Sequence, residues 1–293
     1  MSSDPRPLRI GLIGNELGTS LSPAIHEAEA AALGLAGYRY EPIDLAGVVD
    51  PDLGEVLARA LAQGFTGFNV THPHKQAIMP FLDSIAPSAA ALGAVNTVVL
   101  RGGKLVGHNT DRSGFLAGLR RTLPEGTGHR SALLFGAGGA GSAVAAALLD
   151  FGVRELRVID TDPGRLEALR ESLQRTLPAG GARIETGGPE RAEDWVGAAD
   201  GVINATPIGM EHLPGAPFDT AWLRPAHWVA DVVYRPVMTQ LLTAAAARQC
   251  PVVNGTTMLV EQAADTFVLV TGVQPERERM RAHLAGLLSP VSR

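Results

Sequence analysis

The stretch "LLFGAGGAGSAVAAALL" constrains the chain more than any other. It joins an apolar strand to an alanine-rich helix through a turn that sets Gly136, Gly138 and Gly141 in a G-x-G-x-x-G spacing. Glycine permits the tight turn, the close approach of backbone N–H groups to a pyrophosphate, and close strand-to-helix contact, while the helix N-terminus adds positive potential. Gly136, Ala137, Gly138, Gly139, Ala140 and Gly141 are therefore the candidate dinucleotide cradle. The spacing alone is a weak signal, but the next strand, "LRVID", ends at Asp160, about twenty residues on, where an acid binds an adenosine ribose. A carboxylate there accepts from a ribose 2′-OH and repels a 2′-phosphate, which favours NAD as cofactor. Arg165 keeps NADP open, because a guanidinium can bind a phosphate or stack on adenine.

Around this turn, short β-branched runs alternate with Ala/Leu-rich helical stretches, the pattern of an α/β protein with largely parallel sheets. "LRIGLIG", "YRYEPIDL" and "FTGFNV" read as strands. The helix from Ser22 carries that serine at its N-cap and Pro23 at N1, and "PDLGEVLARALAQG" is a helix closed by Gly64. "VNTVVLRGGKLVGHN" is a hairpin turning at Gly102 and Gly103. A helix over 111–121 and a Gly/Pro-rich connection follow, and the strand-helix pattern then starts afresh. The expected fold is an N-terminal α/β domain over 1–110, completed by two helices within 256–293, and a Rossmann-like domain with a parallel sheet over 111–255.

Composition narrows the partners. Of 293 residues, 45% are hydrophobic and 19% charged, as in a globular protein, and the net charge of −5 comes from interspersed acids and bases. No basic patch or apolar run suits nucleic acid or membrane, so a small-molecule partner is expected. The single cysteine, Cys250, precludes an internal disulfide, and the N-terminal stretch lacks a signal-peptide pattern, which makes the cytoplasm the expected location.

A second cluster demands an explanation. In "GFNVTHPHK" an apolar strand runs directly into Asn69, Thr71, His72, His74 and Lys75. An isolated lysine at such a position is ordinarily a solvated surface charge. Two histidines at i, i+2 without nearby acids make a poor zinc site, so no metal is expected. Cys250, before a proline and an apolar run, reads as a buried inert thiol, and His26 as a packing or capping residue near the serines.

Taken together, "TSLSPAIHE", "GFNVTHPHK", "GAVNTVV", "GHNTDRSGF", "GAGGAGSAV", "NATPIGM" and "MLVEQAADTF" resemble the shikimate dehydrogenase family, and "DTDPGR" is similar to its NAD-preferring quinate/shikimate branch. The resemblance implies a substrate domain facing a Rossmann-like domain across a cleft, NAD(P)-linked oxidation of a polyhydroxy carboxylate, and a homodimer. It implies that Ser20 and Ser22 bind the substrate carboxylate, that Asn69, Thr71, Asn96 and Gln262 hold ring hydroxyls, and that Lys75 and Asp111 are the catalytic pair. Thr206, Val232 and Gly255 would line the nicotinamide end of the cofactor site, with Tyr234 near the substrate. Oxidising a secondary alcohol requires a hydride acceptor and a proton acceptor. Lys75 beside a carboxylate could shuttle the proton or stabilise alkoxide charge, and Asp111 could equally cap the helix that it opens. The expected activity is shikimate dehydrogenase with quinate as a second substrate. The alternatives are an aminoshikimate or strictly NADP-linked biosynthetic enzyme, and a non-catalytic dinucleotide-binding regulator on the same fold.

Overall fold

A strand that is buried on both faces has to be apolar almost throughout, and β1 (Arg9–Gly14) meets that condition from Ile10 to Ile13. It lies inside a six-stranded sheet of order β2-β1-β3-β5-β6-β4, formed with β2 (Arg39–Asp44), β3 (Gly67–Val70), β4 (Ser84–Ile85), β5 (Thr97–Arg101) and β6 (Lys104–His108). The computed structural model describes residues 7–176 and 181–289. Strands β1, β2 and β3 pair in parallel, while β3, β5 and β6 pair antiparallel. The β5–β6 reversal passes through Gly102 and Gly103 at φ 57° and 79°, the left-handed pair that a two-residue hairpin turn requires. Helix α1 (Ser22–Ala32) begins one residue earlier than its proline suggests. Its cap is Leu21, which makes no side-chain cap bond, and Ser22 is the first helical residue rather than the N-cap. The Ser20 hydroxyl accepts from the Ser22 N–H at 3.4 Å and supplies part of what a capping side chain would.

The second sheet is wholly parallel. Its strands β7 (Ser131–Phe135), β8 (Glu155–Ile159), β9 (Arg183–Gly187), β10 (Gly201–Asn204), β11 (Trp228–Asp231) and β12 (Val252–Val253) lie in the order β12-β11-β10-β7-β8-β9. Counted within the sheet this is 3-2-1-4-5-6, the doubly wound order whose direction of winding reverses between β7 and β10. Alternate residues of β7 feed two separate cores. Ala132 and Leu134 pack with α4 (Asp111–Thr122) and α5 (Gly139–Phe151), and Leu133 and Phe135 with α7 (Ala192–Ala198) and α8 (Gln240–Ala247). Both faces are thus covered, as a parallel sheet requires.

The chain divides into two compact units, one of residues 1–90, 94–110 and 262–293, the other of 91–93 and 111–261. The division falls inside α9 (Gly255–Thr271), so Gln262 and Thr266 group with the first unit. Helix α10 (Arg277–Leu288) is tied to α1 by Arg279, whose Nη2 lies 2.6 Å from the buried Glu29 carboxylate. Short pieces such as β4 and the helix α3 (Pro87–Leu92) carry too few residues to show a period in the sequence.

His26 packs in the first unit's core. Its ring stacks on Tyr40 with centroids 4.7 Å apart, and its Nδ1 pairs with the Tyr38 hydroxyl at 3.1 Å. Burial pulls its pKa from 6.5 down to about 3. The unfolded chain therefore takes up a proton below pH 6.5 that the folded chain refuses until about pH 3. Stability is intact above that window and falls as pH descends through it, at up to about 1.4 kcal/mol per pH unit. Urea unfolding of wild type and His26→Phe across this window should show a shallower acid loss in the variant; equal slopes would mean that His26 is protonated in the fold.

Candidate active site

Two asparagines at strand ends organise the polar part of each unit. In the first, Asn69 on β3 is buried among apolar strands and so needs partners for both ends of its amide. The Tyr40 hydroxyl donates to its Oδ1 at 2.7 Å, and its Nδ2 donates to the Asn96 carbonyl at 3.0 Å and to Thr97 Oγ1 at 3.1 Å. The amide therefore braces β3 against β5, and a ligand would reach only the remaining lone pair of Oδ1. Asn96 is oriented in turn by the Thr110 N–H, which donates to its Oδ1 at 2.9 Å. Its Nδ2 lies 3.5 Å from Gln262 Oε1 on α9, so Asn96 and Gln262, far apart in sequence, come together.

The serine loop is clamped from below. Asp44, at the end of β2, accepts from the Glu16 and Leu17 N–H groups at 3.0 and 2.9 Å and from Ala46 at 2.9 Å, and these bonds hold its carboxyl below the usual range. Ser20 is half-buried and Ser22 buried just beyond this clamp. Thr71 comes close because Gly14 has no side chain: a Cβ there would sit 2.3 Å from Thr71 Cγ2. His74 is buried with Nε2 2.9 Å from Asn15 Oδ1, and burial lowers its pKa, so it serves as a strut between β1 and β3. Lys75 is half-buried, and its carbonyl accepts from the Val95 N–H at 2.8 Å, which ties it to the segment leading into Asn96. Asp111 is buried and opens α4 in the second unit. Among the described residues no three His, Cys, Asp or Glu side chains gather as a metal site would.

In the second unit the glycine loop leaves β7 at the reversal point of the sheet. Gly136 has φ +100°, and a Cβ on it would lie 2.8 Å from the Ala205 carbonyl oxygen. A Cβ on Gly141 would lie 2.1 Å from the Gly136 carbonyl oxygen, so only glycine lets the helix start this close to the strand. Helix α5 has Gly138 at its N-cap with no capping side chain, which leaves its first N–H groups facing the loop. Asp160 folds back on this loop: its Oδ2 accepts from the Ala137 N–H at 2.7 Å and its Oδ1 from Asp162 at 2.9 Å. Asp162 accepts from the Gly164 N–H at 2.8 Å at the start of α6 (Pro163–Thr176), and its Oδ2 lies 3.4 Å from Arg165 Nε, both side chains being exposed. A bare helix start, two glycines that admit no Cβ and an acid beside them fit the diphosphate and ribose of a dinucleotide.

Asn204, at the end of β10, accepts from the Thr206 N–H and hydroxyl at 3.0 and 2.7 Å, which sets Thr206 just beyond the strand. Its Nδ2 donates to Asp231 Oδ1 at 3.0 Å. Asp231 also accepts from the Val233 N–H and the Thr239 hydroxyl, at 3.0 and 2.7 Å, and burial pushes its carboxyl up to about 6. This brace fixes the segment of Val232 and the half-buried Tyr234, and Gly255 lets it pass, since a Cβ there would lie 2.4 Å from the Val232 carbonyl oxygen. The sequence reading missed Tyr40, Thr110, Thr266, Asn204, Asp231 and Thr239. The signal available was a polar residue ending each of two neighbouring strands, Asn204 in "GVIN" and Asp231 in "WVAD". Cys250 is buried with its thiol donating to the Arg224 carbonyl at 3.2 Å, and burial raises its pKa.

Residues 12–98 match the shikimate dehydrogenase substrate binding domain. The chain is 45% identical to a shikimate dehydrogenase (NADP(+)) of Arthrobacter sp. strain FB24, over 99% of this chain and 98% of that one. It is 46% identical to a quinate/shikimate dehydrogenase (NAD(+)) of Corynebacterium efficiens, over 95% and 98%. It superposes on the quinate dehydrogenase from Corynebacterium glutamicum in complex with NAD with a TM-score of 0.87 at 44% identity, covering 96% of this chain and 99% of that one. With matches of this extent running through both units, the chain belongs to the shikimate dehydrogenase family.

Proposed function

We propose that this protein is an NAD(P)-dependent dehydrogenase that interconverts shikimate and 3-dehydroshikimate, accepts quinate as a second substrate and prefers NAD. The observation that carries the reading is the pairing of Asp160 with a glycine cradle at the reversal point of the second sheet, in a chain whose first unit holds a layer of oriented amides. The first unit is assigned the polyol and the second the dinucleotide. Ser20 and Ser22 would hold the carboxylate, and Asn69, Thr71, Asn96, Gln262 and Tyr234 the ring.

When bound, the nicotinamide supplies the hydride acceptor. The alcohol loses hydride from carbon and a proton from oxygen, and Lys75 is the group we assign to receive that proton and return it in reduction. Asp111 is the carboxylate that the family resemblance pairs with Lys75 in that role. Thr206, Val232 and Gly255 shape the far end of the dinucleotide site, and the open loop of Gly136, Ala137, Gly138, Gly139, Ala140 and Gly141 receives the diphosphate. Relatives named for NADP and for NAD match equally well, so the preference rests on residues. Asp160 accepts from a ribose hydroxyl, and Arg165, the group able to take a 2′-phosphate, already faces Asp162. The exposure of Arg165 is what favours the second reading, an NADP-linked biosynthetic enzyme. We further assign the enzyme to the cytoplasm, on its single cysteine, and to a homodimer, on its family resemblance.

Initial rates on shikimate and quinate with each cofactor should give turnover of both polyols and a kcat/KM for NAD roughly tenfold above NADP or more. Asp160→Ala should lose more with NAD than with NADP; equal losses would remove Asp160 from cofactor choice. Lys75→Ala should lower kcat by about a hundredfold to ten-thousandfold, the usual worth of a proton-transfer group, with the Kd for NAD unchanged. Unaltered turnover in that variant would take Lys75 out of the chemistry.

A further inference from the structure

Thr266, on α9, is wholly buried, and its hydroxyl closes a circuit of hydrogen bonds through the first unit. Asn96 Nδ2 donates to Thr110 Oγ1 at 2.9 Å, Thr110 Oγ1 lies 3.2 Å from Thr266 Oγ1, Thr266 Oγ1 lies 2.9 Å from Thr97 Oγ1, and Thr97 donates to Asn96 Oδ1 at 2.9 Å. Proton accounting gives the circuit a direction. The Thr110 backbone N–H points at Asn96 Oδ1, which fixes the sense of the amide, and that oxygen can only accept. Thr97 therefore gives its single proton to Asn96, so Thr266 donates to Thr97 and Thr110 donates to Thr266. Asn69 Nδ2, whose other proton goes to the Asn96 carbonyl, fills the remaining acceptor position of Thr97 at 3.1 Å and lies 3.4 Å from Thr266 Oγ1. Bonds running head to tail in a ring strengthen one another in a buried setting.

We infer that Thr266 is a positioning residue for polyol binding: its hydroxyl holds the Thr110 proton and thereby keeps that proton off Gln262. The inference rests on the reading that this unit holds the polyol. Thr110 Oγ1 lies 3.4 Å from both Gln262 Oε1 and Asn96 Oδ1, within reach but farther than Thr266. Without the Thr266 oxygen, the Thr110 hydroxyl turns to Gln262 and competes there with a substrate hydroxyl. Asn96 keeps its own bonds to Thr97 and Thr110 but loses the mutual strengthening of the closed ring at the same time. Neither effect touches the dinucleotide.

The test compares Thr266→Val, which keeps the shape and removes the hydroxyl, with Thr266→Ser, which keeps the hydroxyl and removes the methyl. Each is assayed with shikimate and quinate well below its own melting temperature. Thr266→Val should raise the polyol KM about tenfold, the worth of one hydrogen bond, with kcat within about twofold and the KM for NAD unchanged. Thr266→Ser should stay within about twofold of wild type. Should Thr266→Val not fold, Thr266→Ala serves as the hydroxyl-free variant with the same expected split. A lowered melting temperature with unchanged polyol KM, or a serine variant as impaired as the hydroxyl-free ones, would overturn the inference while leaving the proposed function standing. Absence of turnover on either polyol by the wild-type protein would overturn the functional reading and the inference with it.

Discussion

A carboxamide buried at a strand end must find partners for both its oxygen and its nitrogen, and this chain uses that demand twice. Asn69 does so between β3 and β5, and Asn204 between β10 and β11. Each leaves the two strand ends fixed relative to one another where the chain departs into a loop, and the side chains assigned to chemistry stand on those departing loops. Thr71 and Lys75 follow Asn69, and Thr206 follows Asn204. An unpaired amide at either position would cost roughly 1–3 kcal/mol, so the loops inherit their geometry from bonds that the fold cannot cheaply release.

The dinucleotide site obeys a different constraint, that of backbone proximity. Gly136 and Gly141 are required because another backbone occupies the place where a Cβ would be, and the N–H groups so exposed are fixed dipoles that need no rearrangement to meet an anion. Asp160 serves this arrangement before any ligand arrives, by accepting from the Ala137 N–H. The group we assign to ribose recognition is thus also part of the loop's own support.

Most of the fold was legible because its signals are local. The 3.6-residue and two-residue periods, the Gly102-Gly103 turn and the glycine fingerprint each act over a few residues, and the structure forms the expected elements there. What was not legible depends on partners distant in sequence. Nothing near Thr266 announces that it will meet Thr97, and Tyr40 reads as an ordinary strand aromatic until its hydroxyl is seen on Asn69. The reading of Ser22 as a cap went astray for a related reason: proline marks the first turn of a helix but does not say which residue before it leaves the helical conformation. The order of the first sheet, in which a parallel trio continues into an antiparallel hairpin, likewise depends on pairings between strands distant in sequence.

The buried braces have functional meaning only if the chain carries out direct hydride transfer between a carbinol carbon and the nicotinamide. That claim is tested by oxidising shikimate deuterated at the reacting carbon with NAD in ordinary water and analysing the reduced cofactor by mass spectrometry and NMR. Direct transfer predicts a deuterium in each reduced nicotinamide, on a single face of the ring, and none acquired from D2O when unlabelled substrate is used. Loss of the label to solvent, or reduced cofactor without label, would contradict it.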